Sequence, residues 1–318
     1  MEVGLVGRGA RFEAMAHLLR NHDVYHWSAD GAGGGGELPA HVREVDVGAF
    51  KDTPIIFLCV PIHRLRTSGR QLGSVLSGRH VLVHTTRNLE HATLEPPSTI
   101  LGEETPTQRF GFLTGPFDAD DVLAERPSAG VCASEFNEVH DLCEDVLDAP
   151  KFRLYRAEDI RGAEAAAAYT RIIAMLSGIA HQMELGASLD AMLFARGLAE
   201  TARFVVYRGG FEKTAFGLSG CGNLRLDTNG AANGRGKSVE AEIGSEFMRR
   251  DGVDPEALRA EFGVSANGLF NLIDSLEIVA EDSGVEVPIL EHAIALVDGE
   301  MTAREVVGSL LSLPVFHE

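Results

Sequence analysis

Short apolar runs alternate with helical spacings over the first half of the chain, and the second half carries helical spacings alone. Residues 3–6, 24–27, 55–60, 81–84, 111–113 and 130–133 are β-branched or apolar stretches of strand length. Residues 12–20 have the spacing of a first crossover helix. Strands that alternate with helices predict a parallel α/β sheet. Pro61 and Pro116 punctuate strand ends, and the glycine run at 31–36 reads as a surface loop. From Ala157 the strand-like runs stop. Residues 159–186 are rich in alanine and long aliphatics, which suits a helix packed on several sides. Further helical patterns cover 188–209, 239–250, 255–262, 267–284, 288–297 and 302–311. The expected organisation is an α/β domain over residues 1–154 and an all-helical domain over 155–318.

Composition narrows the function. The 318 residues suffice for two domains with separate cores, and 45% apolar with 24% charged residues is a folded-protein balance. A net charge of −19 argues against nucleic acid, whose binders carry a basic footprint. The apolar runs are too short to span a bilayer. Cys59, Cys132, Cys143 and Cys221 have no metal-ligand spacing and read as reduced thiols. The chain begins directly on the strand pattern MEVGLVG, which leaves no room for a signal peptide, so a cytoplasmic protein is expected. Lysine occurs only at positions 51, 151, 213 and 237, so lysine-dependent chemistry has few candidates.

The first strand runs into VGLVGRGARF, with Gly7 and Gly9 in the turn. Two glycines there allow a tight turn and close backbone approach to a pyrophosphate, which the following helix N-terminus favours. Arg8 and Arg11 flank the turn, and Glu13 adds a negative charge. Asp30, about twenty residues beyond the turn, suits a free ribose 2′-hydroxyl and hence NAD over NADP.

The run SLDAMLFARGLAETARF followed by TAFGLSGCGNLRLDT, residues 188–204 and 214–228, resembles the NAD(P)-dependent glycerol-3-phosphate dehydrogenases. The likeness rests on Arg196, Gly197, Leu198, Ala199, Glu200, Gly217, Leu218, Gly220, Gly222 and Leu224. It extends to PIIFLCVPIHRLR, which carries Pro61, and to GFLTGPFDADDV. The resemblance implies a Rossmann-type domain followed by a helical one, a nicotinamide cofactor, a small anionic substrate and a homodimer.

It also shows where this chain departs from the family. Phe12 stands at the third glycine of the nucleotide motif, where it should push the helix from the strand or turn outward. The two family lysines read as Arg87 and Thr170, and the asparagine after the second is Arg171. The acid of the GLGD element is Asn223. The family's Arg-Asn pair falls at Asn233 and Gly234, with Arg235 on the next arginine. A late cofactor-contacting glutamate reads as Asn267. Arginine does not give up its proton near neutral pH, and a threonine hydroxyl is neither base nor cation. Two readings follow. Either the site is rebuilt, with Arg87 and Arg171 clamping an anion and His63 or His84 moving the proton. Or the chain is a degenerate paralogue that binds a nucleotide or a partner without turnover.

Overall fold

A computed structural model describes residues 1–29, 38–147, 149–233, 238–282 and 284–312, with side chains at 229–233 not described. Its contacts divide the chain into two compact units, Met1–Glu90 with Glu95–Glu164 and His91–Leu94 with Ala165–Glu318.

The first unit is built on an eight-stranded sheet: β1 (Glu2–Gly7), β2 (Asp23–Trp27), β3 (Val42–Glu44), β4 (Ile55–Cys59), β5 (Val81–His84), β6 (Arg109–Thr114), β7 (Ser128–Ala133) and β8 (Phe152–Ala157). The spatial order is β3-β2-β1-β4-β5-β6-β7-β8, parallel except for the β6–β7 pair. Val3 pairs with Val24 on one side and Ile55 on the other. The helices are α1 (Ala10–Leu18), α2 (Ile62–Gly73), α3 (Pro97–Glu104), α4 (Ala119–Leu123) and α5 (Asn137–Val146). Strand alternation fills both faces. Val3, Leu5, Ile55 and Phe57 join one core with Met15 and Phe152, while Val6, Ile56 and Leu58 join another with Leu65 and Ile100. Burial on both faces is why these strands read as continuous apolar runs.

Sequence pattern missed β3 and β8. The first has three residues, one of them buried, and the second mostly presents Arg153, Tyr155 and Arg156 outward. The expected domain boundary near residue 155 falls inside β8.

The second unit is helical: α6 (Ile160–Gln182, entering from the first unit), α7 (Ala187–Tyr207), α8 (Glu212–Ala215), α9 (Asn223–Asn233), α10 (Val239–Arg249), α11 (Pro255–Phe262), α12 (Val264–Ser275), α13 (Glu277–Ala280), α14 (Pro288–Val297) and α15 (Ala303–Ser312). A π-helical turn, Leu218–Gly222, leads into α9. The helix expected over 267–284 is two helices separated at Leu276. Alanine in α6 allows close packing, and Gly178 and Gly244 lie against the backbone of α10 and α6 respectively. Among the described residues, no helix is long and apolar enough to cross a membrane.

Candidate functional site

The sheet order reverses between β1 and β4, and in open α/β sheets ligands bind beyond the strand ends at such a switch point. The turn leaving β1 there carries two glycines at positive φ, Gly7 at 112° and Gly9 at 96°. They do different work. A methyl on Gly7 would overlap the Cys59 carbonyl, so Gly7 permits β1 and β4 to close up. A Cβ on Gly9 would meet nothing within 4 Å, so the backbone ahead of α1 is open. The first helical bond of α1 runs from Glu13 N–H to Gly9 C=O at 3.0 Å. The N–H groups before it form the positive end of a helix, a ready anion site. This open backbone cradle fits a pyrophosphate.

The side chains around the turn are mostly engaged in building it. Arg8 lies 3.4 Å from Glu44, and its guanidinium sits 5.9 Å from the centre of the Phe12 ring. Arg11 donates to the Phe117 carbonyl at 3.0 Å and stacks over that ring at 4.2 Å. Phe12 does not turn outward. It is 3% exposed and points into the core, its ring meeting His26 edge-on at 4.8 Å. His26, which sequence reasoning passed over, is fully buried with Nε2 2.9 Å from the Gly7 carbonyl. Burial lowers its pKa, so the neutral ring donates there and braces the glycine turn. Its signal was a histidine at an inward position of β2. Burial pushes the Cys59 thiol up to about 11, which removes it as a nucleophile. Pro61 caps α2, and His63 is exposed on the first turn of that helix. Asp30, the expected ribose contact, lies outside the described residues.

At the end of β5, His84 is fully enclosed. Its ring stacks on Phe112 at 4.5 Å, and Nε2 lies 3.0 Å from Glu164 Oε1, too skewed for a hydrogen bond. The Glu164 carboxylate also accepts from Ser98 N–H at 2.8 Å and Ser98 Oγ at 2.7 Å, capping α3. His84 thus faces a buried carboxylate and a phenyl ring. Arg87, three residues on, is half-buried.

The second unit places the other candidate positions on inner helix faces. Thr170 is fully buried on α6, its hydroxyl bonded to Ala167 C=O one turn back at 3.2 Å. Arg171 is 9% exposed and donates Nε to Glu240 of α10 at 2.7 Å. Asn223 opens α9, fully buried, with Nδ2 donating to the Ser219 carbonyl at 2.9 Å. Asn233 ends α9, and Arg235 lies outside the described residues. Asn267 is exposed on α12 and bonds Gly263 C=O at 2.9 Å. Beside Thr170, Tyr169 donates to Glu200 at 2.7 Å. Glu200 also accepts the N–H groups of Ile289 and Leu290, both at 2.9 Å, at the start of α14. Burial raises the Glu200 carboxyl to about 7. Lys51, Lys151 and Lys213 are exposed, so no buried ammonium occurs among the described residues.

Comparison with known proteins places both halves in one family. Residues 35–140 match the description "NAD-dependent glycerol-3-phosphate dehydrogenase N-terminus" and residues 159–308 its C-terminal counterpart. The first match begins beyond the glycine turn. A glycerol-3-phosphate dehydrogenase [NAD(P)+] of Sinorhizobium fredii is 31% identical over 273 residues, covering 86% of this chain and 79% of the relative. Its namesake from Syntrophotalea carbinolica is 30% identical, covering 98% and 97%. In structure, the Coxiella burnetii glycerol-3-phosphate dehydrogenase superposes with a TM-score of 0.83 at 23% identity, over 98% and 99% of the two chains.

Proposed function

Because the chain belongs to the NAD-dependent glycerol-3-phosphate dehydrogenase family, we propose that it is a nicotinamide-dependent oxidoreductase with an altered substrate site. Its substrate is a small phosphorylated or otherwise anionic hydroxy or keto compound, nominally glycerol 3-phosphate and dihydroxyacetone phosphate. The observation that carries this reading is the open glycine turn at the sheet's switch point. The N-terminus of α1 and the Gly9 backbone hold the pyrophosphate, and Arg8 and Arg11 offset the charge of Glu13. A bound nicotinamide supplies or takes the hydride. Ala29 and Asp30, with no arginine for a 2′-phosphate, favour NAD over NADP. Arg87 anchors the anionic group, and His63, which reaches solvent where His84 does not, moves the proton at the substrate oxygen.

The test is oxidation of NADH and NADPH by the full chain with dihydroxyacetone phosphate, alongside a direct cofactor titration. Turnover faster with NADH is expected. Tight cofactor binding without oxidation above background sinks the enzymatic reading and supports a second one, a nucleotide binder without turnover. That second reading draws on the commitment of Thr170 and Asn223 to carbonyls of their own segments. A homodimer belongs to the proposal too. Val206, Tyr207, Phe211 and Phe216 leave 41–57% of their surface exposed within eleven residues, and sedimentation velocity checks it. The free thiols Cys59, Cys132, Cys143 and Cys221 suit a reducing cytoplasm.

A further inference from the structure

We propose that a pocket at the C-terminal end of α1 binds a small monocarboxylate with a short apolar tail, at a site separate from the glycine turn. The inference concerns the first unit alone and does not depend on the dehydrogenase reading.

The pocket forms where the last turn of α1, the segment after α4 and the first residues of β7 and β8 come together. At about 400 Å³ and open to solvent, it lies at the small end of the range for ligand sites. Its floor is apolar. Leu18, Val122 and Phe152 are all buried there, and half-buried Ala149 flanks them. Such a floor suits a short hydrocarbon chain and gives a bare inorganic ion nothing to bond. The glycine turn stands at the other end of α1, about 13 Å along the helix axis, so a ligand in the pocket leaves the cradle open.

The rim is cationic. Among the described lining residues Arg20, Arg126 and Lys151 stand against one carboxylate, Glu125, in a chain with 28 basic and 47 acidic side chains. Glu125 sits at a φ of 52°, a helix-ending conformation that glycine usually supplies, and its carboxylate lies 3.3 Å from Arg20. Arg20 also donates to the His17 carbonyl at 3.0 Å, which fixes it at the rim. Arg126 is bound to Asp121 at 2.5 Å. Burial and the neighbouring Arg20 lower the His17 pKa, so this ring adds no charge near neutral pH. With both arginines matched to acids, Lys151 leaves the pocket one positive charge; it is exposed just ahead of β8 and has no ion pair among the described residues. One cation above an apolar floor calls for a monoanion with a tail. A carboxylate at Lys151, its chain laid over Phe152 and Leu18, meets both conditions.

Ligand-detected NMR titration of the full chain with hexanoate tests the site, with acetate, 1-hexanol and hexylamine as probes of tail and charge. Hexanoate should bind with a Kd of about 1 mM or tighter, and each of the other three at least about tenfold more weakly. Lys151→Glu reverses the rim charge at an exposed position, and Ala149→Trp fills the pocket from its edge. Each should weaken hexanoate at least about tenfold, with a melting temperature within about 3 °C of the parent. If Ala149→Trp melts lower than that, Lys151→Glu alone decides. Gly9→Ala, which alters the other anion site of this unit, should leave hexanoate affinity within about twofold. No binding of hexanoate up to about 20 mM overturns the proposal. Hexylamine or 1-hexanol binding as tightly as hexanoate overturns it too. So does hexanoate binding that Lys151→Glu leaves intact or that Gly9→Ala abolishes, since the ligand then sits elsewhere. The dehydrogenase reading stands or falls separately, on cofactor oxidation.

Discussion

The turn at Gly7–Gly9 presents open backbone, whereas the inner faces of α6 and α9 carry enclosed side chains. The two kinds of surface respond differently to substitution. A pyrophosphate cradle made of N–H groups and a helix end survives almost any side chain, provided the glycine conformations remain. Beside that turn Phe12 points into the core, and Arg8 and Arg11 are drawn into packing. A site built from an ammonium and a carboxylate has no such tolerance. On those helix faces Thr170 and Asn223 bond to carbonyls of their own segments. Backbone sites are lost by strain, side-chain sites by single substitutions.

Four substitutions would break or sharpen that contrast. The largest effect is expected at Gly7. A methyl there collides with the Cys59 carbonyl at a φ that disfavours side chains, so Gly7→Ala should cost more than about 4 kcal/mol in urea unfolding. A wild-type midpoint would show that β1 and β4 can part freely. Phe12→Ala comes next, at about 3–5 kcal/mol for the cavity left beside His26. NADH affinity should stay within about twofold, because the ring faces the core. A sharp gain in affinity would mean that the ring obstructs the turn.

Glu200 supplies the third. Its carboxyl is raised from 4.5 to about 7 by burial, against the pull of the two α14 N–H groups and the Tyr169 hydroxyl. The native state then holds a proton that the unfolded chain has released. This contribution is complete below pH 4.5 and is lost as pH rises through about 7, by roughly 3 kcal/mol. Measured against Glu200→Gln, the wild-type chain should be less stable at pH 8 than at pH 5 by that order. A flat difference across this range would place the proton elsewhere. Gly9→Ala is the smallest in stability, about 1–3 kcal/mol of backbone strain in otherwise open space. Its NADH affinity should nevertheless fall at least about tenfold, since the methyl enters the cradle. Unchanged binding would move the nucleotide away from this turn.

Much of this architecture can be read along the chain. Buried strands 55–59 and 81–84 are apolar runs that no helix of the first unit imitates, and α11 and α14 coincide with their predicted spans. The outer strands escaped because an edge strand keeps polar positions, as Arg153 and Arg156 do in β8. At the site, the glycines were visible from residue type, and positions 87, 170 and 223 were singled out by the resemblance to the family. His26 was not, since nothing in its local spacing distinguishes an enclosed polar residue from a solvated one.

Local pattern thus decided the order of strands and helices, the two-part organisation and the glycine turn, because periodicity and backbone freedom act over a few residues. Tertiary structure alone decided that Phe12 points inward, that His84 meets Glu164 and that Arg171 meets Glu240 across 69 residues. Those outcomes depend on which surfaces cross in space, and burial sets the charge and reach of a side chain only once its neighbours have arrived.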